Sequence, residues 1–123
     1  MKTLTLIAIG LFYSISSFAS NEVPIDSIQN YIGKSVTVCS KVYGIKAFEK
    51  VTLLNVGAKF PESPLTIAIM EKDKANFPFS VDSMYNGKSI CVTGTVQLFK
   101  GKAEIVVSKP GEIVIKDEPE ANR

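Results

Sequence analysis

Five short runs rich in Val, Ile and Thr, each cut off by Gly, Pro, Asn or a charged stretch, set the limits on what this chain can become. They span residues 35–46, 49–56, 65–70, 89–99 and 103–108. The third, Leu65-Thr66-Ile67-Ala68-Ile69-Met70, shows most cleanly the period of two that marks a strand. Pro61 and Pro64 punctuate a loop after the second run, and Asn86-Gly87 opens a turn into the fourth. Lys100-Gly101 is a two-residue hairpin between the fourth and fifth. Helical signals are confined to connectors. Residues 71–77 are charged and end at Pro78, which suits one or two helical turns, and 79–85 leaves room for another. In the polar lead-in, Asp26 is expected to cap a short turn through Ile28 to Tyr31.

Three strands, a short helical connector and then a hairpin is the order of the OB-fold, a five-stranded Greek-key barrel that is all-β with one short helix. Glycines within the long first and fourth runs fit that reading, since a small barrel must bend those strands sharply. An SH3-like barrel is the alternative, but it offers no natural place for the charged segment at 71–77. The domain is expected to occupy residues 20–111, with 112–123 forming a short edge and a flexible acidic tail.

The first nineteen residues read as a signal peptide rather than as part of the fold. Lys2 supplies the positive start, Leu4 to Tyr13 the apolar stretch, and Ser17 and Ala19 the small residues of a cleavage site after Ala19. The apolar stretch is too short to span a bilayer comfortably, so no stable membrane insertion is expected after cleavage. A periplasmic or secreted location follows. Cys39 and Cys91 are the only cysteines, and in an exported chain an even number points to a disulfide. The bond would close a loop of about fifty residues, worth about 4 kcal/mol on the chain-entropy model. A redox-active pair is disfavoured because the C-x-x-C spacing is missing.

The chain also resembles a known family. Tyr31-Ile32-Gly33-Lys34-Ser35-Val36-Thr37-Val38 with Val42-Tyr43-Gly44 is similar to the opening of bacterial OB-fold domains of the nucleic-acid-binding type. Tyr85-Asn86-Gly87-Lys88-Ser89-Ile90-Cys91-Val92-Thr93-Gly94 repeats a similar phrase. Leu54-Asn55-Val56-Gly57, Phe60-Pro61 and Leu65-Thr66-Ile67 resemble a segment of the small exported members. The resemblance covers residues 31–108 and implies the fold, with nucleic-acid binding as a fold-level expectation.

Residues 31–111 hold eleven lysines against six acids, so the body is mildly basic, while 112–123 holds four acids against two basic residues. Single-stranded nucleic acid requires cations for phosphates and exposed rings for bases. Lys46, Phe48 and Lys50 alternate at strand spacing, and Lys41 and Tyr43 are expected to share their outward face provided Gly44 leaves the alternation undisturbed. The hairpin adds Lys100 and Lys102 beside Phe99. The candidate ligand face is therefore Lys41, Tyr43, Lys46, Phe48, Lys50, Lys100 and Lys102, for single-stranded nucleic acid or another anionic polymer. The alternative is an accessory domain recognising an envelope protein or a glycan, which predicts an apolar patch around Leu54, Ala68 and Met70.

Catalysis is not expected. The chain has no histidine, the commonest general base and metal ligand. Glu71-x-Asp73 is the nearest approach to paired carboxylates and lies in a charged, solvated turn. No G-x-S-x-G elbow, Ser-x-x-Lys site or Gly-rich phosphate loop is present, so no cofactor and no metal are expected.

Overall fold

The first run becomes β1 (Ser35–Ala47), long enough to serve two neighbours: its first half pairs with β4 (Ser89–Thr95) and its second with β2 (Val51–Val56). The computed structural model describes residues 22–116. The expected signal segment, with its expected cleavage site after Ala19, and the tail from residue 117 lie outside them. β2 pairs antiparallel with β3 (Leu65–Met70), and β3 runs parallel to β6 (Lys102–Val106). β5 (Gln97–Phe99) forms a hairpin with β6, and β7 (Ile113–Ile115) adds an edge against β4. The strand order is β5-β6-β3-β2-β1-β4-β7. Because β4 and β5 are consecutive pieces of the fourth run, separated only at buried Val96, the order closes on itself into an OB-fold barrel.

Two glycines make that closure possible. A Cβ on Gly94 would lie 2.6 Å from Ile105 Cγ2, so only glycine lets β4 approach β6 this closely. At the hairpin, Lys100 and Gly101 have φ of 52° and 83°, the two positive values that a two-residue turn matching strand twist requires. The break after β4 is backed by residues 32–34: Gly33 N–H donates to Val96 O, and Val96 N–H to Lys34 O.

Inward side chains follow the strand period. Val36, Val38 and Val42 from β1, Leu54 and Val56 from β2, Leu65, Ile67 and Ile69 from β3, and Ile90 and Val92 from β4 are all buried in one core. The opposite parity carries Cys39 and Cys91, which the register sets directly across from one another and which form the disulfide. Thr37 and Thr93, one pair further along the same outer side, share a hydroxyl–hydroxyl hydrogen bond of 2.8 Å.

Connectors close the remaining gaps. The charged segment at Glu71–Asn76 is a 3-10 helix, followed by α1 (Val81–Tyr85), whose Ser80 hydroxyl caps Ser83 N–H. They bring Phe77, Val81 and Tyr85 into the core, and Phe79 meets both Phe77 and Tyr85 edge to face at 5.9 and 5.7 Å between ring centres. Burial raises the Tyr85 phenol above its ordinary pKa, so the ring stays neutral there. The lead-in turn is a 3-10 helix at Ile25–Tyr31 with Pro24 at its N-cap. Asp26 therefore falls inside the first turn instead of capping it, because the turn begins three residues earlier than expected.

Candidate ligand-binding face

The outward parity of β2, β3 and β6 forms a shallow face, and the loop between β2 and β3 folds over it. Two adjacent hollows result. One, about 240 Å³, is lined by Lys46, Phe48, Leu53, Asn55 and Phe60. The other, about 180 Å³, shares Leu53, Asn55 and Phe60 and adds Thr66, Phe99, Lys100, Lys102, Ala103 and Glu104. Phe60 is the wall common to both and is 70% exposed.

Phe60 holds its place because the loop is fastened at two points. The Ser63 hydroxyl, buried, donates to Asn55 Oδ1 at 3.3 Å. Lys102 Nζ donates to Pro61 O at 2.8 Å and sits 5.7 Å from the centre of the Phe60 ring. Lys102 is thus a latch between β6 and the loop, and its charge reaches a ligand only over the ring it already covers. Sequence reasoning missed Phe60 as a site residue. The available signal was Phe-Pro in a loop, and nothing in strand periodicity places a loop residue on the sheet face.

The other exposed rings repeat one arrangement. Lys41 Nζ lies 5.2 Å from the Tyr43 ring centre, Lys46 5.7 Å from Phe48, and Lys100 5.4 Å from Phe99. Each contact contributes about 0.5–1 kcal/mol at an exposed site and orders both side chains. A ring so covered keeps its second face for a planar ligand, with a cation beside it for an anion.

The seven expected site residues do not gather into one set. Lys46, Phe48, Lys100 and Lys102 line the two hollows. Lys41 and Tyr43 are exposed on the outer side of β1 and line neither. The undisturbed alternation expected at Gly44 is corrected by the register. Val42 pairs with Val56 and Gly44 with Asn55, so Tyr43 is an extra residue, a β-bulge. Positions 41 and 43 are odd and 46 is even; the bulge is what turns all three outward. Lys50 leaves the strand altogether. Phe48 N–H donates to Val51 O, closing a tight turn that ends the alternation at Ala47, and Lys50 lines a separate open hollow with Glu49, Met70, Glu71 and Lys72. Two lysines and two glutamates there cancel, which gives no preference for an anion.

The apolar patch expected for the alternative reading does not form. Leu54 and Ala68 are 0% and 1% exposed, because Leu54 points inward and Ala68 is covered by its neighbours. Among the described residues no cluster of three or more Cys, Asp or Glu side chains could hold a metal ion, and no helix is long and apolar enough to cross a membrane. The one acidic group in the second hollow is Glu104, whose carboxyl is raised above its ordinary pKa by burial.

No protein-family model matches the chain, and no curated protein matches it in sequence. Solved structures match in shape. The S. pombe Stn1-ten1 complex superposes with a TM-score of 0.62 at 17% identity, over 83% of this chain and 82% of that one. An OBody bound to hen egg-white lysozyme gives 0.59 at 20% identity, over 84% and 100%. An aspartyl-tRNA synthetase from Entamoeba histolytica gives 0.56 at 12% identity over 96% of this chain. The chain spans less than a third of the synthetases it matches, 23% and 30% of their lengths. At these identities the likeness speaks for the fold alone. The chain has an OB-fold, mostly β with short helices, a fold that often binds nucleic acids.

Proposed function

We propose that the domain is an exported, non-catalytic binding module that holds single-stranded nucleic acid, or a comparably anionic chain, across the two hollows beside Phe60. One observation carries the reading: Phe48, Phe60 and Phe99 stand exposed around the hollows, each with a lysine ammonium over its ring. Rings supply sequence-tolerant stacking for bases, and the ammonium groups supply attraction for phosphates at the same spacing. Its structural neighbours include tRNA synthetases and OBodies bound to the protein lysozyme, so the neighbours alone do not choose a ligand. The choice rests on the paired cations, which a purely apolar protein contact would not need.

The test is fluorescence anisotropy of the oxidised domain with labelled single-stranded DNA, RNA and an anionic polysaccharide at two salt concentrations. Micromolar binding that prefers single strands and weakens with salt is expected. With about three phosphates neutralised, the log–log salt slope should be about −2. Absence of binding at low salt would remove the reading and direct attention to protein or glycan partners.

A further inference from the structure

The register draws a line of hydrogen-bonding side chains across the face. Gly44 pairs with Asn55, Asn55 with Thr66, Thr66 with Glu104, and Glu104 with Gln97. Residues paired in register point to the same side of a sheet, so an amide, a hydroxyl, a carboxylate and a second amide lie side by side. Glu104 is the only charged member. No ion pair engages it among the described residues: the Lys100 ammonium lies over the Phe99 ring, and that of Lys102 is held by Pro61 O. A carboxylate in the wall of a hollow it shares with two lysines is an unfavourable place for a phosphate. It is a favourable place for a group that donates hydrogen bonds, since an ionised carboxylate is purely an acceptor with two oxygens.

We propose that Glu104 selects the nucleobase that enters the second hollow, accepting hydrogen bonds from adjacent N–H donors, those of guanine above all. This rests on the nucleic-acid reading of the same face. Guanine presents N1–H and N2–H side by side on its Watson–Crick edge, matching the two carboxylate oxygens. Thymine and uracil present one N–H between two carbonyl oxygens, which the carboxylate repels. The hollow, at about 180 Å³, suits a single ring system, being smaller than the ~300–1,000 Å³ of drug-sized pockets. Phe60 and Phe99 supply its apolar walls. With the base so placed, the phosphates run along the rim, where Lys46 and Lys100 stand.

The experiment compares three labelled oligonucleotides: all thymidine, thymidine with interspersed guanosines, and the same with inosine, which lacks the N2 amine. Wild type should favour the guanosine strand about tenfold over thymidine, the scale of one good bidentate base contact, with inosine losing most of the gain. Glu104→Gln should melt no lower and still bind both strands, with the ratio falling below about threefold. Acid gives a readout that a structural role would not move. Lys100 and Lys102 are the charged groups that share the hollow with Glu104, and Glu104 is its one carboxyl, the group whose negative charge acid removes. Because burial lifts its pKa, lowering the pH should erode the guanosine preference of wild type and leave the variant unchanged. A wild type without preference, or a variant that keeps it, would overturn the role of Glu104 while leaving nucleic-acid binding intact. Failure of every oligonucleotide to bind would overturn both.

Discussion

Phenylalanines serve opposite ends in two regions of this barrel. In the connector between β3 and β4, Phe77, Phe79 and Tyr85 meet edge to face, and Phe77 and Tyr85 are buried in the core. On the outward face, Phe48, Phe60 and Phe99 stand at least half exposed, and each is met by a lysine instead of another ring. A ring that meets rings spends its surface on folding. A ring that meets a cation is ordered without being buried and keeps its surface for something else. The first cluster should therefore govern stability and the second binding.

The sharpest way to break that contrast is truncation in each region. Phe77→Ala should cost about 3–5 kcal/mol, a fall in Tm of roughly 10 °C or more for a domain of this size. Phe48→Ala should cost no more than about 1 kcal/mol, the worth of its contact with Lys46. Thermal melts that lost equally in both would end the distinction. Next in size is the disulfide. Its sequence separation of 52 residues corresponds to about 4 kcal/mol of loop-closure entropy. Cys39→Ser with Cys91→Ser should lower Tm accordingly and leave oligonucleotide affinity unchanged at temperatures where the variant is folded. An unaltered Tm would remove the disulfide from the account of stability.

Binding effects come third. Phe48→Ala or Phe99→Ala should weaken single-strand binding by about 1–3 kcal/mol, the worth of one stacked base. Charge reversal separates residues that sequence spacing puts together: Lys46→Glu should weaken binding and flatten its salt dependence, and Lys50→Glu should do neither. Equal losses from the two would mean that the hollow shared by Glu49, Lys50 and Lys72 belongs to the ligand path.

That last pair shows where the sequence is readable. The strands, the hairpin at Lys100-Gly101 and the pairing of Cys39 with Cys91 were legible because each depends on local chemistry: a period of two, a positive-φ turn, and an even cysteine count. The face was legible only in part. Lys50 looks like a strand residue until Phe48 N–H closes its turn onto Val51 O. Lys46 shares the outer side with Tyr43 only through a bulge that no single-residue preference announces. Phe60 and Glu104 depend on long-range register, the first through a loop fastened by Lys102, the second through the parallel pairing of β3 with β6. Spacing along one strand cannot reveal which residues of four strands share a row.

Glu104 also supplies the smallest effect, and the one that ties stability to the face. Desolvation by burial holds its carboxyl above the ordinary value of 4.5, so the folded state binds the proton more tightly than the unfolded chain does. Its favourable contribution is therefore complete below that ordinary value and is lost as pH rises through the folded one. At neutral pH the protein carries a partly desolvated charge that glutamine would not. Glu104→Gln should raise Tm at pH 7, and the gain should shrink as the pH falls through the folded value and vanish below the ordinary one. Solvent reaches this carboxyl, and screening keeps the rise on the order of 1–3 °C. A variant that melts lower than wild type at pH 7 would mean that the carboxylate is satisfied within the fold, and that the hollow is built to stay closed and not to receive a donor from outside.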